Sequence, residues 1–146
     1  MSKITAFRDN TGISLIELLV AVTILAFVMA FLVPNAMRYI HRANVVVIQS
    51  EAQTVADAVE LYLEDLKENG NLRAGSIHRL MNLSPGDANS VLKNYVSGGK
   101  NGARIVSVDV NLKTGELRSL LYGNELVKIK ITIDKDRNRS VEEIEE

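Results

Sequence analysis

The sequence predicts an α+β chain in which a long amino-terminal helix packs on a small three-stranded antiparallel β-meander. The helix has a membrane half followed by an amphipathic half. Three observations predict this. Residues 13–33 form an almost unbroken apolar run, apolar residues from Ile48 to Leu66 recur every three or four positions, and the stretch from Ala103 alternates with a period of two. The bulk composition agrees with a folded chain: with 47% hydrophobic and 24% charged residues, global disorder and low-complexity classes do not fit. The formal charge of −1 lacks the basic excess that draws a protein to nucleic acid. Cysteine is absent, which removes disulfides, thiolate metal sites and cysteine nucleophiles together.

The first element reads ISLIELLVAVTILAFVMAFLV, with Ser14, Glu17 and Thr23 as its polar members. As a helix it is about 31 Å long at about 1.5 Å per residue, enough for a hydrocarbon core of about 30 Å. A helix apolar all round has no solvent face and belongs in lipid or inside an assembly. A cleaved secretory signal is one reading, with Lys3 and Arg8 as its basic region and residues 28–30 offering small side chains for cleavage. A plain single-pass anchor is a second. Basic residues do not orient the span, because Lys3 and Arg8 before it balance Arg38 and Arg42 after it.

A third reading comes from the order Thr11-Gly12-Ile13-Ser14-Leu15-Ile16-Glu17. This resembles the type IV prepilin family, which includes the pseudopilins of type II secretion and competence systems. Its pattern is a short hydrophilic leader ending in Gly, a hydrophobic residue, a small hydroxyl residue, two aliphatics and a Glu. Pro34 also falls where many members carry a proline. The resemblance implies that prepilin peptidase cuts between Gly12 and Ile13 and that the new amine of Ile13 is methylated. It implies that Glu17 pairs with the Ile13 amine of a neighbouring subunit during filament assembly. A carboxylate inside a membrane segment costs about 2.5–3.5 kcal/mol on insertion scales, so a partner for Glu17 is expected on physical grounds too. The positive end of the helix dipole favours it as well.

Beyond the span, Ile48, Ala52, Val55, Val59, Tyr62 or Leu63, and Leu66 make one apolar face, and Gly70 is a stop signal. Pro34 removes one backbone hydrogen bond from the long helix. Ser76 is placed to cap a short helix through Leu83, and a second is expected from Asp87 to Val96 after the turn Ser84-Pro85-Gly86-Asp87. The glycine-rich residues 98–102 lack the spacing and hydroxyl of a phosphate-binding loop. Val106, Val108, Val110 and Leu112 alternate with polar residues, residues 117–122 follow a turn, and Val127, Ile129, Ile131 and Ile133 share one face of the last strand.

The charged tail holds Asp134, Asp136 and Asn138 at alternate positions, with Glu145 further on. That spacing suits a calcium loop, although Arg139 stands where such loops carry Gly, and a solvated tail is the simpler expectation. No other cofactor is expected. His41 and His78 lie on separate segments without a nucleophile–base grouping, so the chain is not expected to be an enzyme. Tyr39, Tyr62, Tyr95 and Tyr122 read as packing residues.

The expected organisation is a leader at 1–12, a transmembrane and assembly half of the helix at 13–40, and a head at 41–146. The head comprises an amphipathic helix at 41–69, a helical and loop region at 70–102, an antiparallel sheet at 103–134 and a charged tail at 135–146. The implied function is that of a type IV pilus-like filament subunit, with a pseudopilin or a signal-anchored or secreted binding protein as alternatives. Its implied partners are other copies or pilin-like subunits, the prepilin peptidase, the assembly machinery and the membrane before assembly, with no nucleic acid. The precursor would sit single-pass in the cytoplasmic membrane and the filament outside it or in the periplasm. Loss of residues 1–12 removes Lys3, Arg8 and Asp9 and lowers the formal charge of −1 by one, to −2.

Overall fold

The computed structural model describes residues 14–96 and 102–144. The apolar run and the amphipathic period after it form a single 54-residue helix, α1 (Leu15–Glu68), with Pro34 inside it. The chain divides into two units, Met1–Ile40 and His41–Glu146.

In the first unit, every residue of α1 from 15 to 40 is exposed. Two of its uncharged polar side chains bond within the helix. Thr23 Oγ1 donates to the Leu19 carbonyl at 2.7 Å, and Asn35 Nδ2 donates to the Phe31 carbonyl at 3.1 Å. Such local bonds are what an apolar solvent demands of a hydroxyl or amide.

In the second unit α1 is half covered. Ile48, Ala52, Val55, Ala56, Ala58, Val59 and Leu63 are buried, and three alanines among them let the neighbouring elements approach closely. The helix ends in a double backbone bond. The Asn71 N–H donates to the Leu66 carbonyl at 2.8 Å and the Gly70 N–H to the Lys67 carbonyl at 3.1 Å. Gly70 takes φ +66°, the left-handed conformation this cap needs and glycine supplies without strain.

A four-stranded antiparallel sheet in the order β1-β2-β3-β4 covers the amphipathic half: β1 (Arg104–Asn111), β2 (Glu116–Gly123), β3 (Lys128–Ile133) and β4 (Arg139–Ile144). The α+β class stands, but the meander has four strands where three were expected. The fourth lies in the stretch expected as a solvated tail. Its inward positions Arg139, Val141 and Glu143 face Ile133, Ile131 and Ile129 across the ladder. Two of those three are charged, so the apolar period that marks a strand is nearly erased.

Two β-bulges shift the pattern of the first hairpin. Val106 is an extra residue on β1 and Arg118 an extra residue on β2. Parity changes at each, so Ile105 is fully buried while Val108 and Val110 are only half-buried, and Leu117 and Leu120 both face the core. Strand β3 follows the sequence pattern without correction, with Ile129 and Ile131 buried.

The connecting region differs from expectation. Helix α2 is a single turn at Ala74–His78, preceded by Arg73 rather than capped by Ser76, and Ser76 Oγ bonds the Asn71 carbonyl instead. Residues 87–96 form successive turns, not a helix. Ser90 is buried there and its Oγ accepts the Leu92 N–H at 3.1 Å, a local bond that competes with helical pairing. Leu80, Leu92 and Val96 join the common core, and Asn82 and Leu83 hydrogen-bond Ile105 at the outer edge of β1.

Candidate processing and assembly site

Gly12 and Ile13, the residues flanking the implied cut, lie outside the described residues, as does Glu145. The described part of the site begins at Ser14. Leu15 opens α1, so Ser14 is its N-cap and Glu17 sits in the first turn. Glu17 Oε2 accepts the Ser14 N–H at 3.4 Å. Ser14-Leu15-Ile16-Glu17 therefore forms one half of a capping box, the acidic side chain returning to an otherwise orphaned amide at the helix start. The S-x-x-E signal is legible in the sequence.

The geometry holds the carboxylate at the first turn of the apolar helix, turned back onto the Ser14 amide. It is exposed, with helix amides and the positive end of the dipole beside it. Around and beyond it, fourteen large apolar side chains from Leu15 to Val33 stand exposed. Helix α1 is long and apolar enough to cross a membrane. Pro34 follows this stretch and provides no N–H for the Ala30 carbonyl.

The sequence-predicted metal residues fall elsewhere, on the β3–β4 turn. Asp134 Oδ1 accepts the N–H groups of Asp136 and Asn138 at 2.9 and 2.8 Å, and its Oδ2 accepts Asn138 Nδ2 at 3.3 Å. These bonds close the turn, and those from Asn138 hold the Asp134 carboxyl below the usual range. Among the described residues no three His, Cys, Asp or Glu side chains are grouped to hold a metal ion.

Charged residues of β4 meet α1 instead. Arg139 forks onto Asp57 Oδ1 at 2.5 Å and Glu60 Oε2 at 2.8 Å, bonds that raise its basicity further, the Asp57 bond most. His41 Nε2 lies 3.4 Å from Glu143 Oε1. His78 ends α2 and is exposed. Tyr122 is buried and its hydroxyl donates to Glu51 at 3.3 Å; burial chiefly, then the Glu51 charge, pushes its pKa up. Tyr95 donates to Asp65, which raises its pKa, and stacks edge-on to Tyr62. Tyr62, Tyr95 and Tyr122 thus tie the amphipathic helix to its cover.

No curated protein and no solved structure matches the chain. The family described as the prokaryotic N-terminal methylation motif matches residues 7–33. That span takes in the leader end, the Gly12–Ile13 bond, the Ser14–Glu17 cap and the apolar helix through its last residue before Pro34. The chain therefore carries, over residues 7–33, the type IV prepilin leader signature.

Proposed function

We propose that this chain is the precursor of a type IV pilus-like filament subunit. It is stored in the cytoplasmic membrane through residues 13–40, cut by prepilin peptidase between Gly12 and Ile13, methylated at Ile13, and polymerised with copies of itself or related subunits. Its role is structural rather than enzymatic, in a filament outside the cytoplasmic membrane. The observation that carries this reading is a leader signature placed directly on a helix whose residues 15–40 are all exposed, with one carboxylate at its first turn.

The Ser14–Glu17 bond supports a specific sequence of events. Before the cut, Glu17 stabilises the start of its own helix. After the cut, a positive amine appears at Ile13, one residue from the amide Glu17 already holds. The carboxylate then has a cationic partner within its own chain's end or a neighbour's, and a misregistered neighbour leaves it unpaired in an apolar core. A pseudopilin of a secretion or competence system shares each of these steps.

The test is the amino-terminal residue and mass of the protein purified from its own cells. A start at Ile13 with one added methyl group is the expected result. A start after Ala30 would make residues 1–30 an ordinary secretory signal, and an intact Met1 in cells holding an active prepilin peptidase would leave a plain anchor.

A further inference from the structure

The head unit has one end marked by its own contacts. His41, its first residue, follows Ile40 directly and touches Glu143 on β4. Glu143 is the ladder partner of Ile129, and the next residue, Lys128, is the partner of Ile144 on one side and Gly123 on the other. At the far end of the same strand, Ile133 faces Arg139, which reaches Asp57 and Glu60. Travelling along β3 from Ile133 to Ile129 thus moves from Asp57 towards His41, and continuing past Lys128 leads to the β2–β3 turn. The opposite turn, between β1 and β2, packs Gly115 against Lys67 and Leu72, near the carboxyl end of α1.

At the His41 end, Leu126 is 75% exposed, the most exposed large apolar side chain of the head among the described residues. It is not on a slack loop. Asn124 Oδ1 accepts the N–H groups of Leu126 and Val127, both at 2.9 Å, and the Asn124 N–H donates to the Val127 carbonyl at 2.9 Å. A Cβ on Gly123 would stand 2.2 Å from the Val127 carbonyl oxygen, so the turn closes only around glycine. The backbone is built to present Leu126 outward. Ile144 at the same end, and Val46 and Val47 just past His41, are exposed too.

We propose that this end of the head, led by Leu126, is a second membrane contact that inserts into the lipid headgroup layer while the subunit is stored. The proposal rests on the reading of residues 13–33 as membrane-inserted. Residues 15–33 fill a core of about 30 Å at about 1.5 Å per residue, and 34–40 add about 10 Å, enough to cross one headgroup layer of about 5–8 Å. His41 therefore leaves the bilayer at its surface, and Tyr39 before it is of the type that favours that layer. The occupant is lipid because the chain itself tethers this turn to the bilayer at high effective concentration. A leucine already fixed by its turn loses little freedom on entering.

The chain has no tryptophan, so Leu126→Trp introduces a sole indole at an exposed position. The full chain is reconstituted at one copy per phosphatidylcholine–phosphatidylglycerol nanodisc, and its flotation with lipid first establishes insertion; failure there counts against the proposed function and not against the turn. In floated samples, the emission of Leu126→Trp is expected to shift to the blue and to lose more than half its intensity when the acyl chains are brominated. The exposed leucine of the opposite turn, as Leu112→Trp, is expected to show neither effect. Absence of quenching at position 126, or equal quenching at 126 and 112, overturns the proposal. So does a blue shift without lipid quenching that appears only when several chains share a disc, which would assign the turn to a second copy.

Discussion

Removing the Arg139 guanidinium, as in Arg139→Met, tests whether β4 is held to the helix by charge. Arg139 is the one inward side chain of β4 with two partners on α1, at 2.5 and 2.8 Å. Its own side chain is 31% exposed, but those of Asp57 and Glu60 are 60% and 42% exposed, so solvent screens both pairs. Exposed pairs contribute about 0.2–1 kcal/mol each, and a forked arginine lies at the upper end, so the loss should be about 1–2 kcal/mol. Methionine keeps most of the stem's packing, which isolates the charge. Native-state hydrogen exchange on the detergent-solubilised chain reads it directly: amides of residues 139–144 should exchange roughly 10-fold faster while those of β3 change less. High salt should reproduce much of the loss in the wild type, since the screening length drops from about 10 Å at 0.1 M to about 3 Å at 1 M, and should add little in the variant. Unchanged protection of β4 in the variant would refute the reasoning, as would a wild-type β4 indifferent to salt.

Four other outcomes follow from the same contacts. Arg137 sits at φ +62° in the β3–β4 turn, so Arg137→Gly should raise stability by about 0.5–1 kcal/mol, seen as a higher urea midpoint. Because the Asp134 carboxyl is held below its usual range, its share of stability is present above about pH 4 and is lost as the pH falls through the lowered value. Asp134→Asn keeps an acceptor in the turn but cannot titrate, so the stability gap from wild type should be widest near neutral pH and close in acid. Gly123→Ala must push against the Val127 carbonyl and should cost about 1–3 kcal/mol in the same urea assay. Glu17→Ala should leave cleavage after Gly12 intact while abolishing filaments, which immunoblotting and electron microscopy of the same cells would separate.

How far the sequence could be read depended on whether a partner was local. The apolar span, the face from Ile48 to Leu63 and the alternation of β3 all follow from spacing along the chain, and each stands in the structure. Strand β4 does not, because what makes its inward side habitable is Asp57 and Glu60, some eighty residues away. Without those carboxylates in view, Arg139 and Glu143 read as solvent residues. The bulges at Val106 and Arg118 are hidden for a related reason. An extra residue changes which parity is buried, and only the opposing strand determines where it is inserted. At the assembly end the reverse holds: Ser14 and Glu17 are three residues apart, so the capping bond was within reach of pattern alone.

The polar end of the apolar helix matters more than its area suggests. The fourteen exposed apolar side chains between Leu15 and Val33 would cost on the order of 20 kcal/mol to leave in water, which is why this segment must always have cover. Lipid supplies that cover as well as a filament core does, so moving the segment from one to the other gains little hydrophobic free energy. Under the proposed assembly, the difference between the stored and assembled states comes from packing shape and from the few groups lipid serves badly. Thr23 and Asn35 each place a donor on a carbonyl within the helix, which lowers that cost. Glu17, the one carboxylate of the segment, is bonded at 3.4 Å to a single amide and keeps most of its acceptor capacity. Under the proposed assembly, a cationic amine offered beside it is worth most when water is excluded, that is, in the filament. On that reading, a helix this uniform has little else to set its register against its neighbours, and the one carboxylate at its first turn supplies it.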